Sequence, residues 1–284
     1  MENTSDKGKL TLNESLKAIM RNKLWWTISF CIGCLLHLKA QTIVNPRLDD
    51  GLRRGLLFKE EKSFKLALHT NGFQLGYRKG EIKKYYLTNF YQVEFGNIRH
   101  PREFRQSLRS QTLLRSLTNV SGYTYGKQNA LMALRAMAGQ TYYLGEKAKR
   151  RGVAVGVSYQ GGVALGMLKP YYLLLKRLDV NNHSAITSQE EKYSEENANF
   201  FLDPTKITGH AGFSTGLNEI KFVPGLTGKG SMHFSWGPED NYVRFLEAGV
   251  QLDLFAKKMP IMVIENNQPY FFNLFLSLQF GKRK

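Results

Sequence analysis

His233, Ser235 and Glu247 are the residues whose types and spacing come nearest to a reaction centre. A histidine that takes the proton of a nearby serine, with a carboxylate orienting the imidazole, turns the hydroxyl into a nucleophile for acyl groups. No other set in the chain offers comparable chemistry. There is no Gly-rich nucleotide loop, zinc-ligand spacing or EF-hand pattern, and the six histidines are scattered. No cofactor and no metal site are expected. Three common residue types at loose spacing carry a reaction only if the elements beneath them bring them together at a surface the substrate reaches.

The element patterns argue against that. At the end of the chain Phe272, Leu274, Leu276, Leu278 and Phe280 alternate with Phe271, Asn273, Phe275, Ser277 and Gln279. This is a strand with one face in oil and the other on polar contents. The same two-faced reading applies upstream. Phe64, Leu66 and Leu68 alternate with Lys65, Ala67 and His69; after Asn71-Gly72, a hairpin signal, Phe73, Leu75 and Tyr77 alternate with Gln74, Gly76 and Arg78. Further strands are expected over Tyr85 to Phe95, Ala130 to Tyr143, Val153 to Met167, Lys221 to Trp236 and Tyr242 to Phe255. With the terminal strand they number about eight. The first two are short against the roughly ten residues of a membrane span, and reading Phe64 to Arg78 as one bulged strand would require another strand elsewhere.

The expected fold is all-β: a transmembrane antiparallel up-and-down β-barrel. A soluble barrel or sandwich would carry the reverse pattern, polar outside and apolar inside. Residues 41–62 are read as a periplasmic N-terminal segment and 63–284 as the barrel. Turns near 79–84, 146–150 and 237–240 are then short and periplasmic, whereas the loops 97–128 and 178–219 are long and outer, as barrels of this class prefer. The PYYLLL run after the fifth strand overshoots the bilayer and should project beyond it.

Phase assigns Lys65, Arg78, Glu94, Arg135, Lys229, Glu247 and Asp253 to a lumenal polar network, with His69 and His233. Both signs should pair across strands, Lys229 with Glu247 for example. An eight-stranded barrel is just wide enough to be filled by its own side chains, so a plugged scaffold is favoured over a small-solute pore. His233, Ser235 and Glu247 also fall inside, away from any lipid substrate.

Leu24 to Leu38 is apolar, follows Arg21 and Lys23, and precedes Ala40. It reads as a signal peptide over residues 1–40, cleaved before Gln41, with Met20 as the translation start. A membrane anchor would need about twenty apolar residues, more than this stretch provides. Both cysteines, Cys31 and Cys34, lie in that segment, so the exported chain has no thiol for a disulfide or a metal; Cys31-Ile32-Gly33 is a poor lead-in to lipid modification of Cys34. The net charge is +17; residues 1–40 hold six basic and three acidic residues, leaving +14 on the exported chain. Export excludes a nucleic-acid role, and lipopolysaccharide phosphates are the anionic partner nearest such a surface. Arg99, Arg102, Arg105, Arg109 and Arg115, with leucines among them, form a basic stretch suited to that contact or to a protein partner.

Four stretches carry a resemblance: LHTNGFQLGYRKG from Leu68 to Gly80, IRHPRE from Ile98 to Glu103, GGVALGMLKPYY from Gly161 to Tyr172, and FFNLFLSLQFGKR from Phe271 to Arg283. Through them the chain resembles a group of outer-membrane β-barrel proteins from Bacteroidota. The resemblance implies a bacterial outer-membrane location and, by analogy with accessory subunits of secretion or barrel-assembly machines, a non-enzymatic scaffold or accessory role. Other outer-membrane proteins would be partners, and Phe272, Leu274, Leu276, Leu278 and Phe280 would form the membrane-insertion signal read by the barrel-assembly machinery. His233-Phe234-Ser235 with Glu247 is similar to the set used by outer-membrane lipid A deacylases, which leaves a lipid A-modifying hydrolase as the remote alternative.

Overall fold

The computed structural model describes residues 58–84, 86–106, 122–144, 153–178, 186–236 and 242–284. The expected leader, Met20 as start and most of the segment 41–62 lie outside the described residues, as do the expected turns at 146–150 and 237–240.

Eight long strands close into a barrel: β1 (Glu60–His69), β2 (Gly72–Lys84), β3 (Leu87–Ile98), β6 (Asn129–Tyr143), β7 (Ala154–Pro170), β11 (Lys221–Ser235), β12 (Tyr242–Phe255) and β13 (Tyr270–Arg283). Each pairs antiparallel with its neighbours in chain order, and β13 returns to β1 to complete the cylinder. Period-two alternation produces this form. Outward residues are apolar, such as Phe64 at 71% and Leu274 at 57% exposure, while Arg78, Glu94 and Arg135 between them are fully buried in the lumen. A continuous exposed apolar band around a closed sheet is a lipid-facing surface, and closure leaves no unpaired strand edge within it. The fold is a transmembrane antiparallel β-barrel of eight strands.

Boundaries differ from the sequence reading most at β1 and β2, while β3 also runs on to Ile98 and β7 to Pro170. β1 starts at Glu60, inside the expected periplasmic segment, and β2 runs on to Lys84, so 79–84 is strand and not a turn. The extension is stabilised by pairing that local patterning does not show: Glu61 faces Gly80 and Arg283, and Lys62 faces Lys79 and Lys282. These partners also make β1 and β2 two full strands. The β1–β2 turn is Thr70-Asn71, one residue earlier than the Asn-Gly signal, with His69 opposite Gly72. Gly72 is needed for a different reason: a Cβ there would stand 2.5 Å from the carbonyl oxygen of Asn97.

At the rim away from the start of β1 and the end of β13, the connections grow structure of their own. The chain crosses Pro170 into β8 (Tyr172–Leu178), the projection expected of PYYLLL, which pairs with β9 (Ile186–Lys192) and β10 (Ile207–His210) as a three-stranded sheet. A four-residue helix, Ala198–Phe201, packs Phe201 beneath it. The connection from β3 to β6 contributes a small pair, β4 (Arg105–Gln106) with β5 (Tyr123–Thr124). Tyr123, Leu173, Leu175, Phe201 and Ile207 form the apolar centre of this lobe.

If the outer band faces lipid, Leu276→Arg on β13 should destabilise the barrel by about 2–4 kcal/mol. Urea unfolding in liposomes reads this as a lowered midpoint. A residue already 51% exposed would tolerate the same change in a water-soluble barrel, so an unchanged midpoint would contradict the membrane assignment.

Candidate functional site

The lumen concentrates the chain's buried charge. On β1, Lys65 lies 2.8 Å from Glu247 of β12 and 3.3 Å from Glu94 of β3. Glu94 also accepts from Lys229 of β11 and from Gln92. Lys65 and Lys229 stand 5.0 and 5.1 Å from the centre of the Phe275 ring, a cation on each contact. Toward the lobe, Arg135 of β6 makes a bidentate pair with Asp253 of β12, donating from Nε and Nη2 at 2.9 Å each, and Gln74 and Gln251 extend the network. These pairs join strands that are not neighbours in the sheet. They act as straps across the interior, which give Lys65, Glu94, Arg135, Lys229, Glu247 and Asp253 partners of opposite sign.

All seven residues expected in the lumenal network are buried inside the barrel; ion pairs join Lys65, Glu94, Lys229 and Glu247, and Arg135 with Asp253, whereas Arg78 stands apart from them. The expected Lys229–Glu247 pair is not formed. The β11–β12 register sets His233 opposite Glu247 and Lys229 opposite Gln251, so the two ends lie four residues apart, about 13 Å along the strands. Lys229 crosses the lumen to Glu94 instead, and Glu247 takes Lys65.

The same geometry dissolves the hydrolase set. Glu247 is saturated by Lys65, Ser231, Ser277 and Gln279 and does not orient His233. His233 packs between the Tyr143 and Phe245 rings, at 5.9 and 4.0 Å between centroids, and both of its nitrogens lack a protein partner. Ser235 faces the lumen two residues further on. None of the three opens to the bilayer. Arg78 lies 3.7 Å above the Phe90 ring and donates to Thr141 at 2.8 Å. Among the described residues no group of three His, Cys, Asp or Glu side chains gathers to hold a metal ion.

The lobe end of the lumen is closed by a segment that sequence reasoning did not single out. Between β12 and β13, residues 256–269 fold into the mouth and bury Met259, Ile261 and Met262 against Ile98, Leu131, Leu168, Val223, Phe255 and Phe271. Asn267 holds this cap in shape, accepting from the Ile261 and Met262 amides at 2.9 and 3.1 Å and donating to the Met262 carbonyl at 2.7 Å. The backbone of 126–129 binds it from the side, with Gln128 donating to Ile261 at 2.8 Å and Val263 to Gly126 at 2.8 Å. Gly166 gives it room: a Cβ there would meet Met259 and Phe255 at 2.8 Å. The signal in the sequence is the run Pro260 to Ile264, PIMVI, apolar inside a connection between two strands.

Outside the cap, the lobe is tied by ion pairs and rings. Arg177 grips Glu191 at 2.7 and 2.9 Å, and Arg177 and Lys206 stand 4.2 and 3.9 Å from the Phe200 ring. Of the five arginines expected to contact partners, Arg99, Arg102 and Arg105 are exposed at this rim, Arg102 reaching Glu265 at 2.7 Å. Arg109 and Arg115 lie outside the described residues. The five residues expected as an insertion signal all point outward along β13.

Fold and interior together define a filled, capped transmembrane β-barrel with a structured lobe on one rim. No family model and no curated protein matches the chain. Among solved structures it is similar to Ail, the attachment invasion locus protein of Yersinia pestis, at 9% identity and TM-score 0.35 over 80% of this chain and 96% of that one. Neisserial surface protein A gives 8% and 0.37, over 80% and 97%. The N-terminal β-barrel domain of Pseudomonas aeruginosa OprF gives 9% and 0.30, over 78% and 96%. Values this low carry no argument about the present chain, whose fold class rests on its own register and two-faced strands.

Two expectations follow. Glu247→Ala, which strips Lys65, Ser231 and Gln279 of a shared acceptor, should cost about 3–5 kcal/mol in urea unfolding, whereas Ser235→Ala should leave both stability and the lipid A acylation of expressing cells unchanged. In the lobe, the hydrogen bonds from Arg177 hold the Glu191 carboxyl below its ordinary range, against partial burial, which acts the other way. A depressed carboxyl contributes stability fully above its ordinary range and loses it as pH falls through the folded value. Amide protection in β8 and β9, taken relative to the intrinsic exchange rate at each pH, should therefore be high at neutral pH and fall in acid below the ordinary carboxylate range, and Arg177→Gln should abolish that acid step.

Proposed function

We propose that this protein is an integral outer-membrane β-barrel serving as a non-enzymatic scaffold or accessory subunit of an outer-membrane assembly or secretion complex. The observation that carries this reading is the interior: charged straps cross the lumen, the 256–269 cap fills its mouth, and a folded lobe stands above it. An interior filled in this way favours presenting a surface over conducting a solute. The rim with the start of β1 and the end of β13 would face the periplasm and the lobe the outside, after export through a signal peptide at residues 1–40. The terminal strand, with Phe272, Leu274, Leu276, Leu278 and Phe280, would be the segment read by the barrel-assembly machinery.

Partners would meet the lobe. Its sheet ends in β9 on one side, where Thr187, Ser188, Gln189 and Glu190 are exposed and, among the described residues, β8 is the strand's only sheet neighbour. A strand edge of this kind accepts a further strand from another protein. Arg99, Arg102 and Arg105, continued by Arg109 and Arg115, supply a basic surface for lipopolysaccharide phosphates or an acidic partner. Nucleic acid is not among the partners, and the Bacteroidota resemblance belongs to this same reading.

The test is gentle detergent extraction with affinity purification of the tagged chain. The scaffold reading expects a stoichiometric outer-membrane partner, lost when Ser188 and Glu190, whose backbone groups alternate away from β8 toward the free edge, are both replaced by proline; a lone monomer would contradict it. The pore alternative is tested beside it: planar bilayers containing the purified barrel should stay silent, and steady conductance would favour the pore.

A further inference from the structure

The outer face of the barrel carries one feature that neither lipid contact nor the scaffold reading requires. Lys62 on β1 lies opposite Lys282 of β13 on one side and Lys79 of β2 on the other. All three are exposed and share the outward phase, so three ammonium groups stand on adjacent strands in a single register row, spanning about 10 Å. Like charges directly opposite one another destabilise a sheet. Nearby acids relieve this only in part. Glu60 reaches Lys62 at 4.0 Å, and Glu81 is taken by Lys83 at 2.6 Å.

The depth of the row is informative. One row toward the middle of the barrel, Phe64 faces Tyr77 and Phe280, with Phe64 and Tyr77 in edge contact at 5.3 Å between ring centres. Arg244 lies beside Phe280 in that same row and is exposed. Aromatic side chains mark the boundary between hydrocarbon and headgroups. The three lysines therefore stand at headgroup level, immediately outside the aromatic band, with Arg244 adding a fourth cation at its edge. Tyr242 borders the row, its ring 5.7 Å from the Lys282 ammonium.

We infer that Lys62, Lys79 and Lys282, with Arg244, form a binding site for the phosphate headgroup of an anionic phospholipid in the leaflet at this rim. A phosphodiester between the ammonium groups removes the repulsion along the row, its acyl chains lie on Phe64, Tyr77 and Phe280, and a headgroup without net charge leaves the repulsion in place. The site is on the wall opposite in height to the lobe, at the end where β1 starts and β13 finishes, so it belongs to the other leaflet from the Arg99 surface. It depends on the membrane-spanning fold and is independent of the scaffold role.

The test uses the full barrel purified from an equimolar mixture of phosphatidylglycerol and phosphatidylcholine, with retained lipid counted by native mass spectrometry. The wild-type chain is expected to retain phosphatidylglycerol preferentially, and less so as salt is raised. The combined K62Q, K79Q and K282Q variant, its fold checked by circular dichroism, should lose the preference by roughly tenfold or more; each single variant should lose part of it, which keeps the test valid if the triple variant folds poorly. Lys176→Gln with Lys221→Gln, at the lobe end, should retain the preference. Equal retention of both lipids by the wild type, an undiminished preference in the lysine variants, or displacement of phosphatidylglycerol by lipid A from this site would overturn the inference.

Discussion

Closure of the sheet between β1 and β13 is the constraint on which everything else depends. Hydrocarbon offers no hydrogen bonds to a free strand edge, so a membrane-spanning sheet must pair its last strand with its first. The seam runs from Glu61 opposite Arg283 to His69 opposite Phe275, and a 3.0 Å ion pair between Arg283 and Glu61 pins its lower end. Because side chains alternate with period two, a slip of one residue there would send Lys65 into lipid and Leu66 into the lumen. The seam thereby sets the phase of each face, and with it which charges must find partners inside.

Those partners are drawn from distant parts of the chain. Lys65 and Glu247 are 182 residues apart, and Arg135 and Asp253 are 118 apart, yet each pair is among the most buried contacts in the molecule. A low-dielectric wall makes an unpaired charge expensive and a paired one specific, so the interior favours one register and one arrangement of strands. The apolar cap from 256–269 sits above this charged layer, where the lumen meets the outer rim. The two layers differ in chemistry and agree in effect: both fill the barrel.

Much of this was legible in the sequence because period two is a local signal. The alternation is unbroken in β13 and runs from Ala154 to Leu168 in β7, and carried upstream it sets Arg78, Arg135 and Asp253 inside and disqualifies His233, Ser235 and Glu247 as a lipid-facing set. What stayed hidden depends on register and on contacts across the barrel. The true partner of Lys229 is Glu94, 135 residues away, and no local rule connects them. The ends of β1 and β2 are not legible locally, because Glu60, Lys62, Lys79 and Lys83 resemble a polar connection and their pairing with β13 is remote in sequence. The cap is not legible either, because an apolar pentapeptide in a connection has no period to read, and its partners come from β3, β6, β7, β11, β12 and β13 together.

The central claim is that one face of each barrel strand meets lipid while the other meets a filled, polar interior. Spin labels placed one at a time at cysteines from 271 to 280, on a chain with Cys31 and Cys34 replaced, measure it most directly through their accessibility to oxygen and to a water-soluble nickel complex in liposomes. Labels at 272, 274, 276 and 278 should be accessible to oxygen and shielded from nickel, with 273, 275 and 277 poorly accessible to both. Nickel access along the outward set, or loss of the two-residue alternation, would contradict the account.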